Sequence, residues 1–289
     1  MKALVIGGNR FFGKRLVSLL LKKGAKVTLM NRGLLDDGFG NQVSRIHLDR
    51  RTLQKDYPAP ANEQWDIIYD QVCYDASEAH GACEAFSGKT QKFVFTSTSS
   101  VYKDGENRNE SAFDSKKYAF DIPINQEKDY GEAKRQAEAT FSKEASFPLS
   151  VVRFPFVLGE DDYTGRLKFH VDHVLQNKPI YFPDIDAKVS MIFAADAATF
   201  LESLSERELI GPINCCAEDP ISLRQMMELI ENITRKKMRV ASEPTGGDHS
   251  PYGVSASGTL NIDRVKSLGF NPSPILQWLP DLIQKLATI

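Results

Sequence analysis

The sequence predicts an α/β fold built on a doubly wound parallel sheet, with a smaller C-terminal lid that binds substrate. Two observations predict this fold. Over the first 160 residues, short apolar or β-branched runs alternate with helical patterns, and the runs contain few polar residues. A length of 289 residues suits one large domain or two interlocked ones. We therefore expect a nucleotide-binding domain over residues 1–160, to which residues 190–216 return, and a lid formed mainly by residues 161–289.

The individual elements follow from the hydrophobic periodicity. Predicted strands cover residues 3–6, 26–30, 43–48, 66–69, 92–96, 149–153 and 213–216. Predicted helices cover residues 14–23, 77–86, 130–145, 166–176, 194–205, 222–234 and 276–286. In a sheet of this type ligands bind at the carboxyl ends of the strands, so the residues that follow each strand are candidate site residues.

A glycine-rich turn joins the first predicted strand to the first predicted helix, with the sequence Gly7-Gly8-Asn9-Arg10-Phe11-Phe12-Gly13. Gly7 allows a tight turn, and Gly13 allows the helix to pack closely on the strand. The backbone amides at the start of the helix then face a pyrophosphate. Arg10 occupies the middle position of a G-x-x-G-x-x-G spacing, which makes it a candidate contact for an adenosine phosphate. The turn predicts a dinucleotide site that includes Gly7, Asn9 and Arg10.

The end of the second predicted strand indicates which dinucleotide binds. An NAD site usually has Asp or Glu here for the ribose 2′-hydroxyl, whereas this chain has Asn31-Arg32. Asn31 carries no charge to repel a 2′-phosphate, and the Arg32 guanidinium can bind one. We therefore expect NADP, with NAD as the alternative; a solvated surface arginine is the competing interpretation of Arg32. Asp49, after the third strand, is placed to accept the adenine amino group, unless it is only a loop aspartate.

A hydroxyl-rich strand end and a Tyr-x-x-x-Lys spacing provide candidate catalytic residues. Thr98 follows the strand at 92–96, and Tyr130 and Lys134 lie four residues apart on a predicted helix, hence on the same face. A nearby ammonium favours the phenolate form of a tyrosine, which can then exchange a proton with a substrate hydroxyl. Thr98 would hold the same substrate oxygen. The Tyr-x-x-x-Lys spacing alone is common by chance. The prediction therefore depends on the order of the motifs along the chain, which is the glycine-rich turn, then the hydroxyl-rich strand end, then Tyr-x-x-x-Lys.

These motifs together resemble the extended short-chain dehydrogenase/reductases, the superfamily of NAD(P)-dependent sugar epimerases and dehydratases. The resemblance covers nearly the whole chain and includes residues 153–159 and 268–272. It implies a Rossmann fold and an enzyme in which Thr98, Tyr130 and Lys134 are catalytic. It also implies that the cofactor is lined by Phe11, Phe12 and Val157, besides Gly7, Arg32 and Asp49. Dimers built on the tyrosine-bearing helix are common in such proteins, so a homodimer is one expectation.

Departures from the family pattern narrow the function. Sugar 4,6-dehydratases have Asp-Glu after the catalytic threonine, where this chain has Ser99-Ser100, and this argues against dehydration. Residues 70–73 replace the usual asparagine–alanine–glycine motif. The residues around Asn31 and the run 47–51 resemble those of an atypical branch of the superfamily. The run includes Arg50, which is a further candidate cofactor contact. That branch includes chloroplast stem-loop-binding proteins, which bind RNA.

Composition and charge limit the remaining function classes. The chain is 42% hydrophobic and 26% charged, as in globular proteins, and its net charge of −2 argues against a dedicated nucleic-acid binder. Apolar runs such as residues 19–21 are too short to cross a membrane. The first strand begins at once and the four cysteines lack Cys-x-x-Cys spacing, so we expect a cytoplasmic protein with free thiols. His170 and His173 are expected to lie at the surface or to pack in the lid, and no metal is predicted.

The sequence thus supports two functions. The first is an NAD(P)-dependent oxidoreductase or epimerase that acts on a hydroxyl or carbonyl group of a small-molecule substrate, such as a sugar derivative. The alternative is a non-catalytic protein of the same fold that binds nucleotide or RNA.

Overall fold

The computed structural model of the chain describes residues 1–53 and 63–288. The strands are β1 Lys2–Ile6, β2 Lys26–Asn31, β3 Ser44–His47, β4 Ile67–Asp70, β5 Phe93–Thr98, β6 Gly105–Arg108, β7 Leu149–Phe154, β8 Phe156–Leu158, β9 Pro179–Ile180, β10 Lys188–Val189, β11 Met191–Phe193, β12 Gly211–Asn214, β13 Ile221–Ser222, β14 Arg239–Val240 and β15 Gly258–Leu260. The helices are α1 Phe11–Lys22, α2 Ala76–Phe86, α3 Tyr130–Glu144, α4 Arg166–Leu175, α5 Ala194–Ser203, α6 Leu223–Thr234, α7 Asp263–Ser267 and α8 Ile275–Ala287. Among the described residues, no helix is both long enough and apolar enough to cross a bilayer.

The chain divides into two compact units. The first comprises Met1–Tyr102, Glu110–Phe154 and Ala197–Cys215, and the second comprises Lys103–Asn109, Pro155–Asp196 and Cys216–Ile289. The sequence had predicted a first domain over residues 1–160 and a return over residues 190–216. In the first unit the chain is interrupted between Tyr102 and Glu110 and between Phe154 and Ala197, and the predicted domain bounds stay a prediction.

The first unit contains a seven-stranded parallel sheet, which confirms the predicted doubly wound fold. Its strand order is β12-β7-β5-β4-β1-β2-β3, and β1 pairs in parallel with both β2 and β4. The order reverses at β1, and the carboxyl ends of β1 and β4 therefore flank the position where open α/β sheets bind ligands. Strands β4 and β5 are buried along their length, as expected for a sheet that is covered on both faces.

Aromatic packing fixes α3 against the sheet. The ring of Phe93 on β5 stacks on Phe147 at 4.8 Å and lies 5.4 Å from Phe141 of α3. Phe95, also on β5, lies 4.9 Å from the same Phe141 ring. Such pairs contribute roughly 0.5–1.5 kcal/mol each beyond the area they bury. They hold the helix that carries Tyr130 and Lys134 in one register on β5.

The second unit has its own core, formed mainly by α4, α6 and α8, together with a four-stranded sheet of order β13-β10-β15-β6. His170 is fully buried in it and stacks on Tyr252 at 5.1 Å, while its Nε2 lies 2.8 Å from Ser250 Oγ. Burial lowers the pKa of His170 to about 4, so the ring is neutral at physiological pH. His170 thus packs in the core, as expected from the sequence. No cluster of three metal-ligating side chains occurs within residues 1–53 and 63–288.

Candidate active site

The turn between β1 and α1 has the shape that a dinucleotide pyrophosphate requires. Gly7 and Gly8 have φ values of +94° and +72°, which side chains other than glycine rarely adopt. A Cβ on Gly8 would lie 2.7 Å from Val5 Cγ1. The N-cap residue of α1, Arg10, makes no side-chain capping hydrogen bond to the helix. The turn therefore fits the pyrophosphate of the predicted cofactor.

Of the other turn residues, Asn9 and Arg10 lie between the two glycines and the first residue of α1, and Arg10 is exposed. Phe11 is buried at the first position of α1 with φ +52°, a left-handed conformation that is strained for a phenylalanine. The Phe12 ring packs edge-on against Phe154 at 5.9 Å. Strain of this kind often occurs at ligand-binding turns.

Gln71 is a neighbour of this turn that the sequence did not predict as a site residue. It follows β4, and a Cβ on Gly13 would collide with its Oε1. Its Nε2 is buried and has no hydrogen-bond partner among the described residues. The one sequence signal was the replacement of the usual asparagine–alanine–glycine motif at this position.

The carboxyl ends of β2 and β3 bring Asn31, Arg32 and Asp49 to one edge of the sheet. Asn31 Oδ1 accepts a hydrogen bond of 2.9 Å from Gly33 N, which forms a tight turn around the exposed Arg32. Asp49 accepts hydrogen bonds from the side chain and backbone of Arg51. These bonds lower the pKa of Asp49 to about 2, and the positive charge of Arg32 acts in the same direction. Arg32 is thus close enough to Asp49 for the two charges to interact.

Arg50, also predicted to contact the cofactor, lies in the interior. Only 7% of it is exposed. Its guanidinium forms an ion pair with Asp70 and donates a hydrogen bond of 2.5 Å to the Glu78 carbonyl. A direct contact between Arg50 and a cofactor stays a prediction that this arrangement does not favour. The two neighbouring arginines therefore differ: Arg51 is largely exposed, and Arg50 is part of the core.

Thr98, Tyr130 and Lys134 lie around the carboxyl end of β5. Thr98 Oγ1 accepts a hydrogen bond of 3.1 Å from Ser100 N, which starts the 3₁₀ turn Ser99–Val101. A Cβ on Gly131 would lie 2.8 Å from Ser100 O, so a glycine lets the start of α3 approach this turn. Tyr130, the first residue of α3, is 42% exposed.

Lys134 is buried one helical turn after Tyr130. Its Nζ donates hydrogen bonds to Thr96 O at 2.8 Å and to Cys73 O at 2.7 Å, and lies 4.2 Å from the Phe95 ring centre. Thr96 belongs to the last part of β5, and Cys73 lies in the turn that follows β4. Burial lowers the pKa of Lys134 to about 8, so the ammonium predominates at neutral pH. The amine is held at the point where two strands end.

A second buried charge pair supports this end of the sheet. Arg153 on β7 and Glu138 on α3 are both fully buried and form an ion pair of 2.6 Å. Ser97 Oγ donates to Glu138 Oε1 at 2.5 Å, and Arg153 Nη1 donates to Tyr102 OH at 2.8 Å. Burial raises the pKa of Tyr102 to about 12, so this phenol stays neutral. The network ties α3, β5 and β7 together next to Thr98.

Val157 lies in β8 of the second unit, where it pairs with Ile192 of β11. Its predicted contact with the cofactor stays a prediction.

A parallel sheet with a glycine turn after β1 and a Tyr-x-x-x-Lys helix beside β5 defines a dinucleotide-binding protein of the extended short-chain dehydrogenase/reductase class. The chain belongs to the NAD dependent epimerase/dehydratase family, whose sequence model matches residues 59–212, more than half of its length. The resemblance inferred from the motifs is thereby confirmed, and so is the prediction that the protein is an enzyme of this NAD-dependent type.

Solved structures show the same fold. The UDP-glucuronic acid 4-epimerase of Bacillus cereus, in complex with NAD, superimposes with a TM-score of 0.75 and 18% identity, over 99% of this chain and 97% of that one. The UDP-glucose 4-epimerase of Thermotoga maritima, with UDP-glucose, gives 0.74 and 18%, again over 99% and 97%. A putative epimerase from Burkholderia cenocepacia gives 0.78 and 16%, over 100% and 98%. At such identities the similarity shows the fold alone.

One curated relative is similar over part of the sequence. The chloroplast stem-loop binding protein of 41 kDa b from Arabidopsis thaliana is 32% identical over 114 residues. The match covers 35% of this chain and 30% of that protein, so the chain spans less than a third of the relative's length in the alignment.

Proposed function

We propose that this protein is an NAD(P)-dependent oxidoreductase or epimerase that acts on a hydroxyl or carbonyl carbon of a small-molecule substrate, such as a sugar derivative. The observation that carries the proposal is the buried Lys134 ammonium, held by two strand-end carbonyls one turn from Tyr130. A buried amine with a perturbed pKa beside an exposed tyrosine is typical of a catalytic site rather than of a core. NADP is the proposed cofactor, with NAD as the alternative; the cytoplasmic location and the homodimer also stay predictions.

The cofactor would be held by residues at three strand ends. The α1 amides, with Gly7 and Asn9, would bind the pyrophosphate. Arg32 and Arg10 would bind a 2′-phosphate, and Asp49 the adenine amino group. The bound nicotinamide would supply a hydride acceptor or donor.

The acid–base step falls to Tyr130. An isolated phenol has a pKa of about 10 and is a poor base at neutral pH. Two N–H groups of the Lys134 ammonium are taken by carbonyls, and we assign the third to stabilising the Tyr130 phenolate. The phenolate then takes the proton of a substrate hydroxyl, or the phenol returns it to a carbonyl oxygen. Thr98 donates a hydrogen bond to the same oxygen.

Replacing the phenol tests this role. Tyr130→Phe is expected to lower turnover by about 100- to 10,000-fold, the range for loss of a general acid–base, while cofactor affinity is unchanged. Turnover is measured by NMR with UDP-glucose, UDP-glucuronic acid and a panel of free sugars. Tyr118→Phe is the matched control, because it also removes a phenol hydroxyl, one that donates a hydrogen bond to Glu132 on the helix that carries Tyr130. Equal turnover in the two variants would refute the assignment.

A titration without substrate tests the same role. The phenolate absorbance of Tyr130, obtained as the difference between wild type and Tyr130→Phe, should rise at a pH below the ordinary value of about 10. Lys134→Met should move this titration back upward, because the stabilising ammonium is lost. An ordinary titration that Lys134→Met does not change would contradict the proposed partnership.

The second candidate function is RNA binding without catalysis, which the similarity to the chloroplast stem-loop binding protein favours. The basic run 235–237 offers little support, because Lys236 Nζ donates to Leu175 O at 2.5 Å and Lys237 pairs with Glu231 at 2.8 Å. Filter binding of a stem-loop RNA at two salt concentrations separates the candidates, since phosphate contacts make affinity fall steeply with salt. Weak binding that is independent of salt would remove the RNA candidate.

A further inference from the structure

Two buried charged side chains flank the turn after β4, whose Cys73 carbonyl accepts a hydrogen bond from Lys134. Arg50 follows β3 and Asp70 ends β4, and they form an ion pair in which 7% of the Arg50 side chain and none of the Asp70 side chain is exposed. A charged pair so deep in the protein is costly to desolvate, and well-packed apolar side chains would serve stability at least as well. The pair lies next to a candidate catalytic lysine, and this position indicates a role other than stability.

The pair holds both ends of the turn between β4 and α2. At one end, Asp70 Oδ1 accepts a hydrogen bond of 3.2 Å from Val72 N while the other carboxylate oxygen binds Arg50. At the other end, Arg50 Nη1 donates to Glu78 O, and Glu78 Oε2 accepts from Tyr74 N at 2.6 Å. Arg50 thus links the last residue of β4 to the first turn of α2.

Cys73 lies between these two anchors. Its carbonyl is one of the two that accept a hydrogen bond from Lys134 Nζ, at 2.7 Å. A shift of the turn would therefore move one of the two acceptors of Lys134, whereas the other acceptor, Thr96 O, belongs to the sheet itself.

The chain around Arg50 is docked closely on α2. A Cβ on Gly81 would collide with the carbonyl oxygen of Leu53, so α2 accepts the segment after Arg50 only because residue 81 is a glycine. This close approach is independent of the ion pair and keeps the Arg50 backbone fixed relative to the turn.

We propose that Arg50 and Asp70 form a positioning pair, which fixes the Cys73 carbonyl and thereby the Lys134 ammonium. The inference rests on the proposed function, in which Lys134 stabilises the Tyr130 phenolate. Neither Arg50 nor Asp70 need touch substrate or cofactor. Each acts through the turn, and each also contributes its charge to the surroundings of the amine.

The charges near Lys134 give the two members of the pair opposite effects on the amine. Arg50 disfavours the ammonium, whereas Asp70 and Glu138 favour it. Removing Arg50 should therefore raise the pKa of Lys134, and removing the Asp70 charge should lower it. Loosening of the turn, which admits water to the amine, would in addition raise the pKa of Lys134 in both variants.

The experiment compares Arg50→Met, Asp70→Asn and the double variant. The Lys134 pKa is followed through the Cε resonance of isotope-labelled lysine, assigned by its loss in Lys134→Arg. We expect opposite charge effects in the two single variants. In the double variant, in which these effects largely cancel, we expect a Lys134 pKa about one pH unit above the wild-type value, because the turn is no longer held and water reaches the amine. Arg51→Met is the matched control, since its exposed pair with Asp49 lies outside this network and should leave Lys134 unchanged.

A near-native Lys134 pKa in the double variant would overturn the proposal, because the pair would then act on the amine through its charges alone. Should the variants with Arg50→Met not fold, Arg50→Lys keeps the positive charge but cannot bind the Asp70 carboxylate and the Glu78 carbonyl together, and an unchanged Lys134 pKa in this variant would overturn the proposal. This readout uses neither substrate nor cofactor, so it stands apart from the test of Tyr130. In turnover assays the alkaline limb of kcat should move with the Lys134 pKa while KM stays nearly constant, and a change confined to KM would contradict the positioning role.

Discussion

The two halves of the candidate site differ in whether their charged side chains are exposed to solvent or buried. At the ends of β2 and β3, Arg32 is exposed, and the pair of Asp49 with Arg51 lies at the surface. At the ends of β4, β5 and β7, the pairs Arg50–Asp70 and Glu138–Arg153 are buried. We refer to these as the exposed half and the buried half.

The difference in exposure indicates a division of function between the two halves. Charges in water can be exchanged at little cost to the fold, so the exposed half can set which dinucleotide is preferred. Charges in the interior interact strongly and cannot be removed singly without leaving an unpaired partner. The buried half can therefore hold an amine such as Lys134 in one place and in one protonation state. The following predictions test that division.

The largest expected effect is a loss of stability in the buried half. Glu138→Gln keeps the shape of the side chain but leaves the fully buried Arg153 without its counter-ion, and should lower the free energy of unfolding by about 3–5 kcal/mol. Urea denaturation at neutral pH measures this loss. Asp172→Asn is the control, because it removes a partly exposed pair with Lys168 and should cost no more than about 0.5 kcal/mol. Equal losses in the two variants would abolish the distinction between buried and exposed charges.

An intermediate effect is expected on cofactor choice in the exposed half. Arg32→Ala should weaken NADP binding by about 10- to 100-fold, the value of a charge-assisted hydrogen bond, and change NAD binding little. Fluorescence titration with both reduced cofactors measures the two affinities, and urea denaturation should show native stability. Lys26→Ala is the matched control, because Lys26 is exposed at the opposite end of the same strand. Parallel losses for NADP and NAD would refute the role of Arg32.

The sequence predicted the strands and helices around the site better than it predicted which charges are buried. The strand predicted at 26–30 is observed at Lys26–Asn31 and the helix predicted at 130–145 at Tyr130–Glu144, because both have long, clear periodicity. Arg50 and Arg51, in contrast, are adjacent and chemically identical in the sequence. Arg50 is a core residue because Asp70 lies beside it. The parallel pairing of strands that are distant in sequence brings Asp70 to this position.

The second unit shows another limit of prediction from sequence. Its strands β9, β10, β13 and β14 have two residues each, too few for any alternation of polar and apolar side chains to be recognised. The helices α4 and α8 were predicted to within a residue or so, since their apolar faces pack into a common core. Gln71 could not be predicted because its position against the glycine turn depends on β4 lying beside β1.

The smallest expected effect concerns the exposed pair of Asp49 and Arg51. The pKa of Asp49 in the folded protein is about 2, below the value of about 3.9 for an unperturbed aspartate. Its contribution to stability is therefore present above pH ~4 and is lost as the pH falls through about 2. Arg51→Ala should raise the Asp49 pKa toward its ordinary value, as followed by carboxyl NMR, yet leave urea denaturation at neutral pH indistinguishable from wild type. A loss of stability as large as that of Glu138→Gln would mean that the exposed half, too, depends on its charges to fold, and the choice of cofactor could then not be altered there independently of the fold.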